Sequence, residues 1–228
     1  MEIAQLLSAF KRGEKFASVF ARVAQAHEGV HGGHDIYHTV RVANCAGLIA
    51  TTEWNDQRIT DLSILAGLCH NADRLLEKKT DNPKLIEMLV RSWLNGTPMS
   101  IGEKEMVIDA VLVHSGPNKL RHSQVAKATG DGDREVNMEL DVVIRSAQYY
   151  HDLPAVDYVH FLGDPEATYK HPRSVLKDIS ACLEWVDPQS PFCFQTETGM
   201  ALGKERARAL KDFIDTLEQQ LKAGGLLQ

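Results

Sequence analysis

Apolar residues recur at three- and four-residue intervals along nearly the whole chain, the spacing of helices that bury one face. Ile3, Leu6, Leu7 and Phe10 share one face, and Phe16, Val19, Phe20 and Val23 repeat it after Gly13. Residues 27–34 are rich in Gly and His and predict a turn. Val42, Cys45, Ala46 and Ile49 predict the next helix, and Ile59, Leu62, Ala66, Cys69 and His70 another. Asp81-Asn82-Pro83 reads as a cap with a first-turn proline, and Asn95-Gly96 as the matching stop, with Leu85, Met88, Leu89 and Trp93 on one face between them. Ser100 and Glu103 form a capping box opening a helix through Val107, Val111 and His114, which Ser115-Gly116-Pro117-Asn118 ends.

Residues 121–133 are polar and contain glycine, which predicts a loop. Val136, Leu140, Val143, Ile144 and Ala147 then share a face, and so do Val175, Ile179, Cys182 and Leu183. Leu202, Ala209, Leu210, Phe213, Leu217 and Leu221 predict a long last helix. Strand alternation and repeats of solenoid period are absent. The expectation is an all-α fold, a compact helical array in a single domain over residues 1–228.

Composition narrows the function. The 228 residues, 43% apolar and 25% charged, are ordinary globular proportions, and no linker-like stretch divides them. A net charge of -6 argues against binding polymeric nucleic acid, which relies on clustered Lys and Arg. The longest basic run, Glu77-Lys78-Lys79, reads as a loop edge. The four cysteines, Cys45, Cys69, Cys182 and Cys193, form no C-x-x-C pair and suit a reducing compartment. There is neither a signal-like apolar core nor a bilayer-length apolar run, so the expectation is a cytoplasmic protein without membrane contact. A homodimer is compatible with this composition.

No P-loop and no G-x-S-x-G elbow is present. What stands out is histidine. His38 opens one apolar helix with Arg41 one turn on, His70 closes another ahead of Asn71, Asp73 and Arg74, and His114 shares a face with Val107, Ala110 and Val111. Neutral imidazoles on core-facing stripes bind a metal when they converge, and are ordinary boundary residues when they do not. Asp73 and Arg74, near the same helix end as His70, offer a carboxylate to a metal and a guanidinium to a phosphate, or a plain surface ion pair. His151-Asp152 reads as a helix end beside a loop, and Asp35 as a residue that positions the turn before His38. His27-Glu28-Gly29-Val30-His31 satisfies H-E-x-x-H, the zinc-peptidase pattern, but that chemistry needs a continuous helix. Gly29, Gly32 and Gly33 each lower helix stability by roughly 1 kcal/mol relative to alanine, which argues for a turn instead.

Gly33-His34-Asp35-x-x-His38-x-x-Arg41-Val42 resembles the first motif of the HD superfamily, in its branch of small bacterial hydrolases. Leu65 through His70-Asn71 is similar to the second, an apolar helix ending in His-Asp, except at its last residue. Ile108 to Ser115, with His114, resembles the third segment, and the tail from Thr196 through Arg206 to Leu217 resembles the closing helix. The family's Asp-Ala-Asp segment is matched to Val142–Gln148. The resemblance implies N-terminal helices over 1–27, a metal-site core over about 33–153 and C-terminal helices over 154–224. It implies a divalent metal (Mn, Mg, Fe, Ni or Zn) and a metal-activated water attacking phosphorus in a small phosphorylated molecule, a nucleotide being the favoured case. Carried over by position, His38 and His70 are metal ligands, Asn71 a weak one and Gln148 a doubtful one. His114, Asp73, Arg74 and Arg41 would serve the chemistry and the phosphate. Asn71, Ser146 and Gln148 stand where carboxylates are expected, so fewer negative charges balance a dication. A catalytically degenerate domain that binds a nucleotide or a partner is the alternative, and the peptidase a third.

Overall fold

The computed structural model describes residues 13–31, 33–76, 82–168 and 171–227. The helix expected over residues 3–10 and the basic run at 77–79 lie outside them. Nine α-helices occur among the described residues. These are α1 (Gly13–Ala26), α2 (Ile36–Trp54), α3 (Gln57–Cys69), α4 (Pro83–Leu94), α5 (Ile101–Val113), α6 (Gln124–Val136), α7 (Val142–Tyr149), α8 (Val175–Ala181) and α9 (Glu197–Ala223). Short 3₁₀ turns, His70–Asp73 and Cys182–Val186, extend α3 and α8. No strand occurs among the described residues, only an isolated bridge between Thr168 and His171. The all-α expectation holds.

The caps lie where local chemistry demands them. Asp35 accepts from the His38 backbone N–H and so starts α2. Ser100 and Glu103 close the reciprocal capping box at α5, and Asn82 with Pro83 opens α4. Gly96, at φ 75°, follows the end of α4.

One expected loop is a helix. Residues 124–136 form α6, capped by Ser123 and largely buried, with Val125, Ala126, Ala128 and Val136 in the interior. Gly130 and Gly132 give this stretch the look of a loop, yet the fold uses them for close packing. A Cβ on Gly132 would stand 2.8 Å from the Ala46 nitrogen of α2, and one on Gly67 of α3 would stand 2.6 Å from Ala43 Cα. The backbone of α2 is thus gripped on two sides through glycines, closer than any side chain permits. The face expected to run from Val136 to Ala147 as one helix is broken. Val136 ends α6, and α7 begins at Val142 after a turn.

Two apolar clusters flank this crossing. Phe20, Val23, Leu68, Val90, Leu94 and Val107 represent one, built from α1 to α6. Met138, Leu176, Ile179, Phe194 and Leu210 represent the other, built around α7 to α9. Asp131 of α6 ties the second to the first. Its fully buried carboxylate accepts from the backbone N–H groups of Gln195 and Thr196 and from the Thr196 hydroxyl, at 2.8–3.0 Å, at the start of α9. Burial pushes this carboxyl up, and the converging donors and Arg134 counter that.

Glu135 is fully buried with no hydrogen-bond donor on either carboxylate oxygen, although Arg206 Nε lies 2.7 Å away, off the hydrogen-bonding direction. Burial pushes its carboxyl up to about 7, against the pull of Arg206. A carboxyl whose folded pKa exceeds its unfolded one loses its contribution to stability as pH rises through the folded value. Thermal stability should therefore fall between pH 5 and pH 8. Glu135→Gln should narrow that gap by several degrees, at roughly 2–4 °C per kcal/mol for a chain of this size; an unchanged gap in a thermal melt would reject the assignment. Gly132→Ala should cost about 1–3 kcal/mol in urea unfolding, because backbone and not a flexible side chain must yield.

Candidate metal centre

His38 lies in the first turn of α2, His70 in the turn that ends α3, and Asp133 on the α6 face toward them. His70 Nε2 stands 3.3 Å from His38 Nε2. Asp133 Oδ1 lies 3.4 Å from His38 Nε2 and 3.7 Å from His70 Nε2. All three could serve one ion, since their ligand atoms lie within 4.8 Å of one another. A tetrahedral ion with bonds of about 2.0–2.1 Å spaces its ligands about 3.4 Å apart, so the separations fit a first-row dication.

The surroundings prepare these groups. His70 Nδ1 donates to the Gly67 carbonyl at 2.7 Å, which leaves the Nε2 lone pair facing the cluster. Burial depresses its pKa to about 3, so the ring is neutral at physiological pH. Burial also pushes the Asp133 carboxyl up, but the hydrogen bond from His38 and the neighbouring imidazoles hold it well below the ordinary carboxylate value. The His70 imidazole is neutral and the Asp133 carboxyl ionised, the states that metal binding requires of them. For His38 the outer nitrogen faces Arg145 Nη1 at 3.4 Å, and no acceptor comparable to Gly67 fixes its tautomer.

Asp133 was not among the residues expected at the site. The distal carboxylate was placed at Ser146 and Gln148, and this is corrected. Gln148 is exposed, and Ser146 donates its hydroxyl to Asp178 at 2.7 Å. The Asp-x-Asp pattern stands instead at Asp131-Gly132-Asp133, hidden because the glycines made its helix read as a loop.

Asn71 is buried beside the cluster, and its amide nitrogen donates to the Thr39 hydroxyl at 3.0 Å. Thr39 Oγ1 also lies 3.1 Å from His27 Nε2, and His27 Nδ1 lies 2.8 Å from the Val23 carbonyl. Asn71 donates to the Thr39 oxygen, and the one Thr39 proton is shared between His27 Nε2 and the Asp35 carbonyl, which lies 3.2 Å away. A carboxylate at 71 would have no proton for Thr39. The same chain accounts for the H-E-x-x-H motif. Helix α1 ends at Ala26, Gly29 takes φ 78°, and His31 is exposed, so the two histidines share no helix face. The peptidase geometry is absent.

The other expected residues fall in three places. His114 donates Nδ1 to Val111 at 2.7 Å and sets its ring edge-on to His70, 5.4 Å between centroids, where a small cavity also touches Asp133. Asp73 and Arg74 pair at 3.1 Å, and Arg74 donates to the Tyr149 hydroxyl at 2.7 Å. Arg41 lies elsewhere, bound to Asp141 at 2.5 and 3.1 Å and to Glu139, where it braces the α6–α7 turn. His151 and Asp152 form an exposed pair.

Beside the cluster opens a cavity of about 870 Å³, lined by His34, Asp73, Arg74, Asp178, Trp185 and Phe192 among others. His34 sets its ring edge-on to His38 and Tyr149, and its buried Nδ1 has no partner. Arg145 also lines the cavity but spends its donors on Asp141, Gly33, Asn137 and Val136.

Among solved structures, the fold matches an HD-superfamily hydrolase from Bacillus thuringiensis with a TM-score of 0.63 and 20% identity, covering 93% of this chain and 99% of that one. A protein from Lactobacillus plantarum matches with a TM-score of 0.66 and 17% identity, covering 92% and 98%. One from Listeria innocua gives 0.63 and 18%, covering 91% and 97%. The chain therefore has the fold of an HD-superfamily hydrolase over nearly its full length. Neither a protein-family profile nor a curated protein matches the sequence. No helix among the described residues is long and apolar enough to cross a membrane.

Thr39→Val removes the centre of the Asn71–His27 chain while keeping shape. It should cost about 1–3 kcal/mol by leaving buried polar groups unpaired, read from denaturant unfolding. A cost near zero would show that the chain is not formed.

Proposed function

We propose that this protein is a metal-dependent phosphohydrolase acting on a small phosphorylated molecule, with His38, His70 and Asp133 holding a divalent ion. The observation that carries the reading is the convergence of two imidazoles and one carboxylate from three helices beside a cavity that Arg74 lines. When bound, such an ion polarises a phosphoryl oxygen and acidifies water.

The chain's own residues supply the rest. Arg74, held by Asp73 and Tyr149, presents its guanidinium to the cavity, where it binds and orients a phosphate. His34 offers an unpartnered ring nitrogen on the same side. His114 packs edge-on against His70. One carboxylate beside two neutral ligands leaves a bound dication with net positive charge, which favours an anionic substrate. A nucleotide is favoured by the fold's resemblance and by the aromatic residues that line the cavity.

The alternative, a domain that binds without turnover, rests on Asn71. Its donor role toward Thr39 gives that residue a structural reason and weakens the alternative.

Purified protein should bind about one Mn²⁺ by calorimetry and hydrolyse p-nitrophenyl phosphate or a nucleoside phosphate only with the ion present. Asp133→Ala and His70→Ala should each reduce that rate by at least about 100-fold. Turnover that survives Asp133→Ala, or that proceeds equally in a chelator, would reject the assignment. Metal binding with no turnover on a broad phosphate panel would favour the binding-only domain.

A further inference from the structure

The cavity holds charge of both signs. Arg74 and Arg145 line it, Asp73 pairs with Arg74, and Asp178 lines it from α8. Asp178 accepts one hydrogen bond, from Ser146. Among the described residues no cationic side chain forms an ion pair with it, and no second donor reaches its carboxylate. Ionised carboxylate oxygens take about four donors between them, so most of its acceptor capacity is unspent. Burial pushes its carboxyl up and the Ser146 hydroxyl draws it down.

Around it the wall is apolar and aromatic. Trp185 and Phe192 line the cavity with it, as do Tyr150 and Cys182. An anion left without partners in such a wall is costly unless something donates to it. Ser146 alone does not balance it, and Ser146 follows Arg145 in the helix that borders the metal cluster.

Resting on the phosphohydrolase reading for the position of the phosphate, we propose that Asp178 determines specificity. It selects phosphorylated molecules whose far end presents N–H donors to its carboxylate against the Trp185–Phe192 wall. Two ligand chemistries share that property, the N–H edge of a purine and an alkyl ammonium group. A flat aromatic phosphate without donors meets the same wall but leaves the carboxylate unpaired, and is discriminated against on that ground.

The test is equilibrium binding to the whole chain in Mn²⁺, read from tryptophan fluorescence, with Trp185→Phe to confirm which tryptophan reports. The probes are guanosine 5′-monophosphate, phosphoethanolamine and 1-naphthyl phosphate. At least one N–H ligand should bind more tightly than 1-naphthyl phosphate, and Asp178→Asn should reduce that ratio about tenfold, the effect of losing a charged hydrogen bond. Preference for the guanosine ligand identifies a purine edge, and preference for phosphoethanolamine an ammonium. If wild type binds 1-naphthyl phosphate as tightly as both others, or binds none of the three, the proposal is overturned without any variant. A preference that persists in a folded Asp178→Asn protein overturns it as well. Hydrolysis of p-nitrophenyl phosphate with Mn²⁺, measured in parallel, tests the phosphohydrolase reading alone. An inert protein that still shows the Asp178-dependent preference loses that reading and keeps this one.

Discussion

Backbone contact between helices sets everything else in this structure. Helix α2 meets α3 where Gly67 faces Ala43, and meets α6 where Gly132 faces Ala46, at distances no Cβ could share. Each glycine lies next to a proposed ligand in the chain. Gly67 is three residues before His70 and accepts its Nδ1–H, and Gly132 immediately precedes Asp133. Small residues therefore do more than permit packing. They hold three ring and carboxylate atoms from three helices at separations of 3.3–3.7 Å.

Two carboxylates on α6 divide the work by helical geometry. Positions two apart on a helix point about 200° from each other. Asp131 therefore faces away from the imidazoles and closes the N-terminus of α9, while Asp133 faces them. The same short stretch thus joins the two apolar clusters and completes the candidate metal centre. Asn71 is the converse case: its amide donates to the buried Thr39 hydroxyl, a bond in which a carboxylate could not be the donor.

Helix periodicity was legible in α2 and α5, whereas in α4 the caps formed as read but Leu85 and Met88 of the expected face are exposed and Ile86 and Val90 are buried in their place. The capping box at Ser100 and Glu103 depends only on residues three apart, and it formed as read. Helix α6 defeated that reading. Its Gly130 and Gly132 are poor helix formers in isolation, and only the closeness of a neighbouring helix rewards them. Losing α6 to a loop displaced the Asp-x-Asp pattern onto α7, and with it the distal carboxylate onto Ser146 and Gln148. Arg41 was assigned from its spacing to His38, but spacing along a helix does not show which neighbour captures a guanidinium. Asp141 and Glu139 do.

The linear sequence by itself determined the all-helical class and most helix ends, because periodicity and caps are local interactions, and its resemblance to the HD-superfamily motifs marked His38 and His70 as candidates for a shared site. Tertiary structure alone decided that Asp133 joins those histidines, that Arg41 does not, and that Asp178 lines the cavity. Those facts depend on which helices touch and how closely, and that closeness arises from packing between segments as much as a hundred residues apart, which no local pattern encodes.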